Sequence, residues 1–98
     1  MKFETRAIHI GEEPNLKEGG TGDVAMPIHL ASTFARKEVG TPTAGYEYSR
    51  TDNPTRKALQ ARLAALEGAD YGLAFASGLA AETTLFLSIL SSGNHVVA

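Results

Sequence analysis

The stretch Tyr71-Gly72-Leu73-Ala74-Phe75-Ala76-Ser77-Gly78-Leu79-Ala80-Ala81 decides how the chain is read. Tyr71 to Ala76 is a short, mostly apolar run between turn residues, consistent with a strand buried on both faces, although periodicity alone does not separate it from a buried helix. Ser77-Gly78 breaks it, and from Leu79 the apolar positions Leu79, Leu85, Phe86, Ile89 and Leu90 follow a helical stripe that Ser91-Ser92-Gly93-Asn94 ends. His95-Val96-Val97-Ala98 then opens another apolar run. Upstream, Asn53 suits an N-cap, Pro54 the first helical position and Gly68 the left-handed residue after a last turn. Leu59, Leu63 and Leu66 recur between them with Ala58, Ala61, Ala64 and Ala65, while Arg56, Lys57, Gln60 and Arg62 mark a polar side. The order helix, strand, tight turn, helix, strand predicts an α/β fold with a mostly parallel sheet. Two strands do not complete such a sheet, so the pattern predicts a fragment or a partner that finishes it.

Residues 1 to about 45 show no sustained periodicity and are punctuated by Gly11, Pro14, Gly19, Gly20, Gly22, Pro27, Gly40, Pro42 and Gly45. A short helix over Glu4 to Ile8 and an extended stretch around Ile28 to Phe34 are all the regular structure expected there. The chain thus divides into an irregular arm, 1–52, and the beginning of an α/β domain, 53–98. So long an irregular segment is uncommon inside a compact domain and usually marks function or contact with another subunit.

Composition narrows the function classes. A formal charge of −2 and a pI near 5.9 give no electrostatic reason to expect nucleic acid, whose binding needs clustered Lys and Arg. With no cysteine, disulfides, thiolate metal sites and a thiol nucleophile are all excluded. Met1-Lys2-Phe3-Glu4-Thr5-Arg6 lacks the features of a signal peptide and no run is long enough to cross a bilayer, so the expected setting is the cytoplasm.

Two places could hold an anion. At Ala76-Ser77-Gly78-Leu79 a helix begins, and its first N–H groups have no internal partners and carry the positive end of the dipole. Gly78 lets the backbone approach closely and Ser77 adds a hydroxyl; equally, Ser77 could only cap the helix. In Tyr46-Glu47-Tyr48-Ser49-Arg50, an extended backbone would align the Tyr46 and Tyr48 hydroxyls with the Arg50 guanidinium. The plainer alternative is a surface strand with an Arg–Glu pair and two half-buried tyrosines.

Other motifs fail. Gly20-Thr21-Gly22-Asp23-Val24-Ala25 matches the letters of a dinucleotide fingerprint without a preceding strand, and Pro27 denies it a helix. Ser77 lacks the glycine two residues earlier that a hydrolase elbow uses, so a serine hydrolase is disfavoured. His9, His29 and His95 have no second ligand at metal-binding spacing, and Lys2, Lys17, Lys37 and Lys57 are not placed as desolvated amines.

The motifs together resemble a known family. Tyr48-Ser49-Arg50-Thr51-Asp52-Asn53-Pro54-Thr55, then Leu59, Leu63, Leu66-Glu67-Gly68 and Ala76-Ser77-Gly78-Leu79-Ala80-Ala81, are similar to the opening of the Cys/Met-metabolism pyridoxal-phosphate enzymes. That family includes cystathionine γ-synthase, the cystathionine lyases, methionine γ-lyase and the O-acylhomoserine sulfhydrylases. Thr5 to Gly11 and Pro27 to Phe34 resemble its first segments. The resemblance implies an N-terminal arm and the first βαβ elements of the large domain of a fold-type I enzyme, with pyridoxal 5′-phosphate (PLP) as cofactor. It implies that Tyr48 and Arg50 reach the cofactor phosphate of a neighbouring subunit, and that Ser77, Gly78 and Leu79 hold the phosphate in their own. It further implies a homo-oligomer, a tetramer built from dimers, acting on O-acylhomoserine, cysteine or cystathionine. A γ-replacement of the cystathionine γ-synthase kind is the expected reaction, with the related eliminations and sulfhydrylation as alternatives, and a non-catalytic anion-binding or dimerisation module as the alternative of another class. The family's cofactor-binding lysine and substrate-binding arginine would lie past Ala98, so these 98 residues alone are expected to be inactive.

Overall fold

A computed structural model describes residues 1–98. Helix α1 spans Phe3–His9; a hairpin follows from β1, Arg36–Glu38, and β2, Thr41–Pro42; a 3₁₀ turn covers Thr43–Gly45; and two longer helices complete the chain, α2 at Pro54–Glu67 and α3 at Gly78–Ile89. The hairpin is antiparallel, with Arg36 opposite Pro42 and Glu38 opposite Thr41.

Helix α2 forms for the reasons its sequence gives. The Asn53 side-chain oxygen accepts the Thr55 N–H at 2.9 Å, Pro54 occupies the first turn, and Gly68 closes the helix in the left-handed region at φ 70°. The buried face is not the leucine stripe, however. Ala58 and Ala64 are buried, whereas Leu59 and Leu63 each remain 49% exposed.

The small face of α2 receives the start of the chain. Arg6 donates from Nη1 to the Ala65 carbonyl at 2.7 Å, satisfying an acceptor in the last turn of α2. Arg62 donates from Nε to the Ile10 carbonyl at 3.0 Å and from Nη2 to the Ile8 carbonyl at 3.1 Å, and pairs with Glu12 at 2.7 Å. Gly11, at φ 80°, passes so close that a Cβ there would lie 2.6 Å from the Ala58 carbonyl oxygen. The opening segment, expected as part of an irregular arm, is thus fastened to α2 by its own Arg6 and Glu12 and by Arg62, which the sequence pattern placed on the polar side of the helix.

The strands expected at 71–76 and 95–98 are absent from the structure. A strand exists only through its ladder, and neither run pairs with a neighbour. The hydrogen bond that 71–76 does make is the Ala74 N–H to the Gln60 side-chain oxygen at 3.0 Å. The extended stretch expected at 28–34 is reduced to one antiparallel bridge, Thr33 to Tyr48.

The result is an open arrangement. The radius of gyration is 17.0 Å, against about 13 Å for a compact domain of this length. The accessible surface is 8106 Å², against about 5,400 Å² for a folded monomer of this mass. Helix α3 contains no buried residue, and Leu79, Leu85, Phe86, Leu87 and Ile89 are all exposed.

Candidate functional site

The two places expected to hold an anion are built differently. At the first, Ser77 takes extended backbone geometry and its Oγ accepts the Ala80 N–H at 3.1 Å, while its carbonyl accepts the Ala81 N–H at 3.1 Å. Ser77 is therefore a cap. The cap leaves the Gly78 and Leu79 N–H groups without partners in the chain, and the Ser77 hydroxyl proton is still available to donate. No atom lies within 4 Å of where a Gly78 Cβ would stand, so the approach is open. Capping and anion binding are compatible here, since they use different N–H groups. The Ser77 backbone, at φ −153°, has none of the strain of a hydrolase elbow.

At the second seat the chain is not extended through Arg50. Tyr48 bridges Thr33, the Ser49 N–H donates to the Ser32 carbonyl at 2.8 Å, and the chain then turns, with the Thr51 and Asp52 N–H groups both donating to the Tyr48 carbonyl at 3.0 Å. The turn, not strand alternation, brings Tyr48 and Arg50 together: the guanidinium carbon lies 5.0 Å from the centre of the Tyr48 ring. Tyr46 leaves the expected trio. Its ring packs 5.5 Å from Phe34, with the Lys57 ammonium 5.6 Å from its centre.

The anticipated Arg–Glu pair exists with another arginine, Arg36 to Glu47 at 3.3 Å. Four of the five arginines, Arg6, Arg36, Arg56 and Arg62, make hydrogen bonds or ion pairs within the chain. Arg50 makes neither. Its fork of donors is free, exposed and stacked on an aromatic face, a state suited to a planar or tetrahedral anion supplied from outside.

The remaining sequence expectations are placed simply. His29 packs against α2, with its Nδ1 3.3 Å from Thr55 Oγ1. No group of three or more His, Asp or Glu side chains comes together as a metal site. The glycine-rich run at 20–22 lies in a loop with neither strand nor helix beside it.

The family model for the Cys/Met metabolism PLP-dependent enzymes matches residues 4–98. The chain belongs to that family. It is 59% identical over 95 residues to a probable cystathionine gamma-synthase of Herpetosiphon aurantiacus, covering 97% of this chain and 28% of that protein. It is 49% identical over 95 residues to a cystathionine beta-lyase of Coxiella burnetii, covering 97% of this chain and 23% of that one. Among solved structures, metB from Corynebacterium glutamicum superposes with a TM-score of 0.91 at 45% identity, over 97% of this chain and 24% of that one. The family segment described here therefore spans about a quarter of the length of its relatives, and its fold is the opening of theirs.

Proposed function

We propose that this segment anchors the phosphate of PLP in a transsulfuration enzyme, through two half-sites that act on different subunits of a homo-oligomer. Gly78 and Leu79, by their free N–H groups, and Ser77, by its hydroxyl, hold the phosphate of their own subunit at the positive end of α3. Tyr48 and Arg50, in the arm 1–52, reach the phosphate held by residues 53–98 of a neighbour. The observation that carries this reading is Arg50, the one arginine with no partner in its own chain, stacked on Tyr48. A guanidinium held ready but unpaired is what a dianion from a second molecule requires.

When bound, PLP supplies an electron sink for bonds broken at an amino-acid substrate. The residues of this segment would fix the cofactor's position and its phosphate charge, so that the ring is held at one depth and orientation. The full-length protein is read as a cytoplasmic tetramer of cystathionine γ-synthase type, joining an O-acylhomoserine to cysteine. The relative with 59% identity favours that reaction over the lyase alternatives. Supplying a full-length chain with either O-acylhomoserine plus cysteine or with cystathionine separates the two: accumulation of cystathionine supports γ-replacement, and its exclusive breakdown overturns it.

The shared site is tested by mixing subunits. Arg50→Ala removes the donor lent to the neighbour, and Ser77→Asp keeps the cap but sets a carboxylate against the phosphate, so each variant alone should bind PLP poorly. In a hybrid dimer one site has both lesions and the other has none. Mixing the two should restore about a quarter of wild-type PLP occupancy. Absence of any recovery would show that the arginine is not lent between subunits, and normal PLP binding by Arg50→Ala alone would remove the phosphate role altogether.

A further inference from the structure

Only one polar residue of the chain is buried, and it lies beside the Arg50 turn rather than in it. Asn53 is 8% exposed, and its side chain is fully used. The Oδ1 atom accepts the Thr55 N–H at 2.9 Å, and Nδ2 donates to the His29 carbonyl at 3.1 Å and to Ser49 Oγ at 3.0 Å. The Ser49 hydroxyl donates in turn to the Ala31 carbonyl. Arg56, one turn into α2, donates from Nη1 to the Ser49 carbonyl at 2.7 Å. Ser49 is thus gripped at its hydroxyl by the N-cap of α2, at its carbonyl by Arg56 in the first turn, and at its N–H by the Ser32 carbonyl at 2.8 Å. Ser49 is the residue between Tyr48 and Arg50.

We propose that Asn53 is a positioning residue for the phosphate site: one amide N–H locks Ser49, and through it the Tyr48–Arg50 turn, to the start of α2, while the other holds the arm at the His29 carbonyl. The proposal rests on the phosphate role of Arg50. An N-cap needs only an acceptor, which Asp, Ser or Thr supplies equally well. The two donors of Asn53 serve no capping purpose, and both are aimed at the arm. They convert an exposed turn into a fixed extension of a helix, so that the free guanidinium is presented at one reach and angle. Losing such an arrangement weakens a charge-assisted contact without removing either partner.

The discriminating substitution is Asn53→Asp, which retains the cap acceptor and loses both donors. In a full-length chain carrying this segment, we expect PLP affinity to fall about tenfold, the effect of one lost charge-assisted hydrogen bond. The melting temperature is read on Asn53→Ser beside it, which keeps a cap acceptor without setting a carboxylate against the His29 carbonyl; in the PLP-free protein it should stay within a few degrees of wild type while PLP affinity falls in the same direction. Ser49→Ala breaks the same link from the other side while leaving Asn53 intact, and should lower PLP affinity in the same direction if Asn53→Asp does not fold. The double variant Arg50→Ala with Asn53→Asp should bind PLP no more weakly than Arg50→Ala alone, since Asn53 acts through that arginine. Additive losses would overturn the proposal, as would unchanged PLP affinity in Asn53→Asp and Ser49→Ala while Arg50→Ala is impaired. A melting temperature that falls in proportion to affinity would reduce Asn53 to a structural cap. Normal affinity in Arg50→Ala would instead overturn the phosphate reading on which the proposal rests.

Discussion

The corner where the arm meets the start of α2 and the region around α3 are made of opposite materials. Around Asn53, Ser49, Thr55, Arg56 and His29, hydrogen bonds between residues distant in sequence close on one another, and little apolar surface is involved. Around α3, the side chains are apolar and exposed, and the neighbouring run at 71–76 is held by one hydrogen bond to Gln60. A directional polar corner can be complete within a short segment, because each donor needs only its acceptor. An apolar helix cannot be complete alone, because its stabilisation comes from area removed from water, and that area must be supplied by other elements. The first region closes on itself within these residues; the second leaves its apolar side chains uncovered.

That contrast predicts its own largest test. Leu85→Ala should destabilise a full-length chain by about 2–5 kcal/mol in urea unfolding, the range for a leucine lost from a packed core. The same substitution in the isolated 98 residues should cost less than about 0.5 kcal/mol, as at an exposed site. Equal effects in the two contexts would break the comparison. Next in size is Gly11→Ala, which meets both a positive φ and the Ala58 carbonyl. It should cost about 1–3 kcal/mol and free α1 from α2, seen as faster amide exchange over residues 3–12. Gly68→Ala, where the left-handed cap is needed but nothing crowds the site, should cost about 1 kcal/mol by the same measurement. The smallest effect is expected at Leu79, whose proposed contribution to phosphate binding is its backbone N–H. Leu79→Met should leave PLP affinity within about twofold of wild type in a fluorescence titration, because a surface exchange of similar side chains changes little.

The elements that were legible in the sequence are those whose signals are local. Asn53, Pro54 and Gly68 bound α2, and Ser77 opens α3, because caps and left-handed closures depend on neighbours only a few residues away. The free N–H groups of Gly78 and Leu79 were legible for the same reason, since a helix start needs no tertiary partner to expose them. What escaped depended on long-range contacts. Arg56, Gln60 and Arg62 fall on the polar side of α2 by period, yet each reaches a backbone atom elsewhere in the chain. The trio expected of Tyr46, Tyr48 and Arg50 failed because strand alternation was assumed where Ser49 to Thr51 turn, and a turn of Ser, Arg and Thr has no glycine or proline to announce it. The role of Asn53 as a double donor was hidden behind its role as a cap, which the sequence shows plainly. The strands at 71–76 and 95–98 are legible as apolar runs but become strands only when ladders are present to pair them.

The way α1 is secured has a thermal consequence. Guanidinium groups bonded to carbonyls remove little hydrocarbon from water, so releasing Phe3 to Glu12 from α2 should carry almost none of the heat-capacity increment that accompanies exposure of apolar surface. Its free energy of detachment would then vary gently and nearly linearly with temperature, without the low-temperature weakening that shared hydrophobic cores suffer. Residues 3–12 would stay seated in the cold while apolar contacts elsewhere loosen.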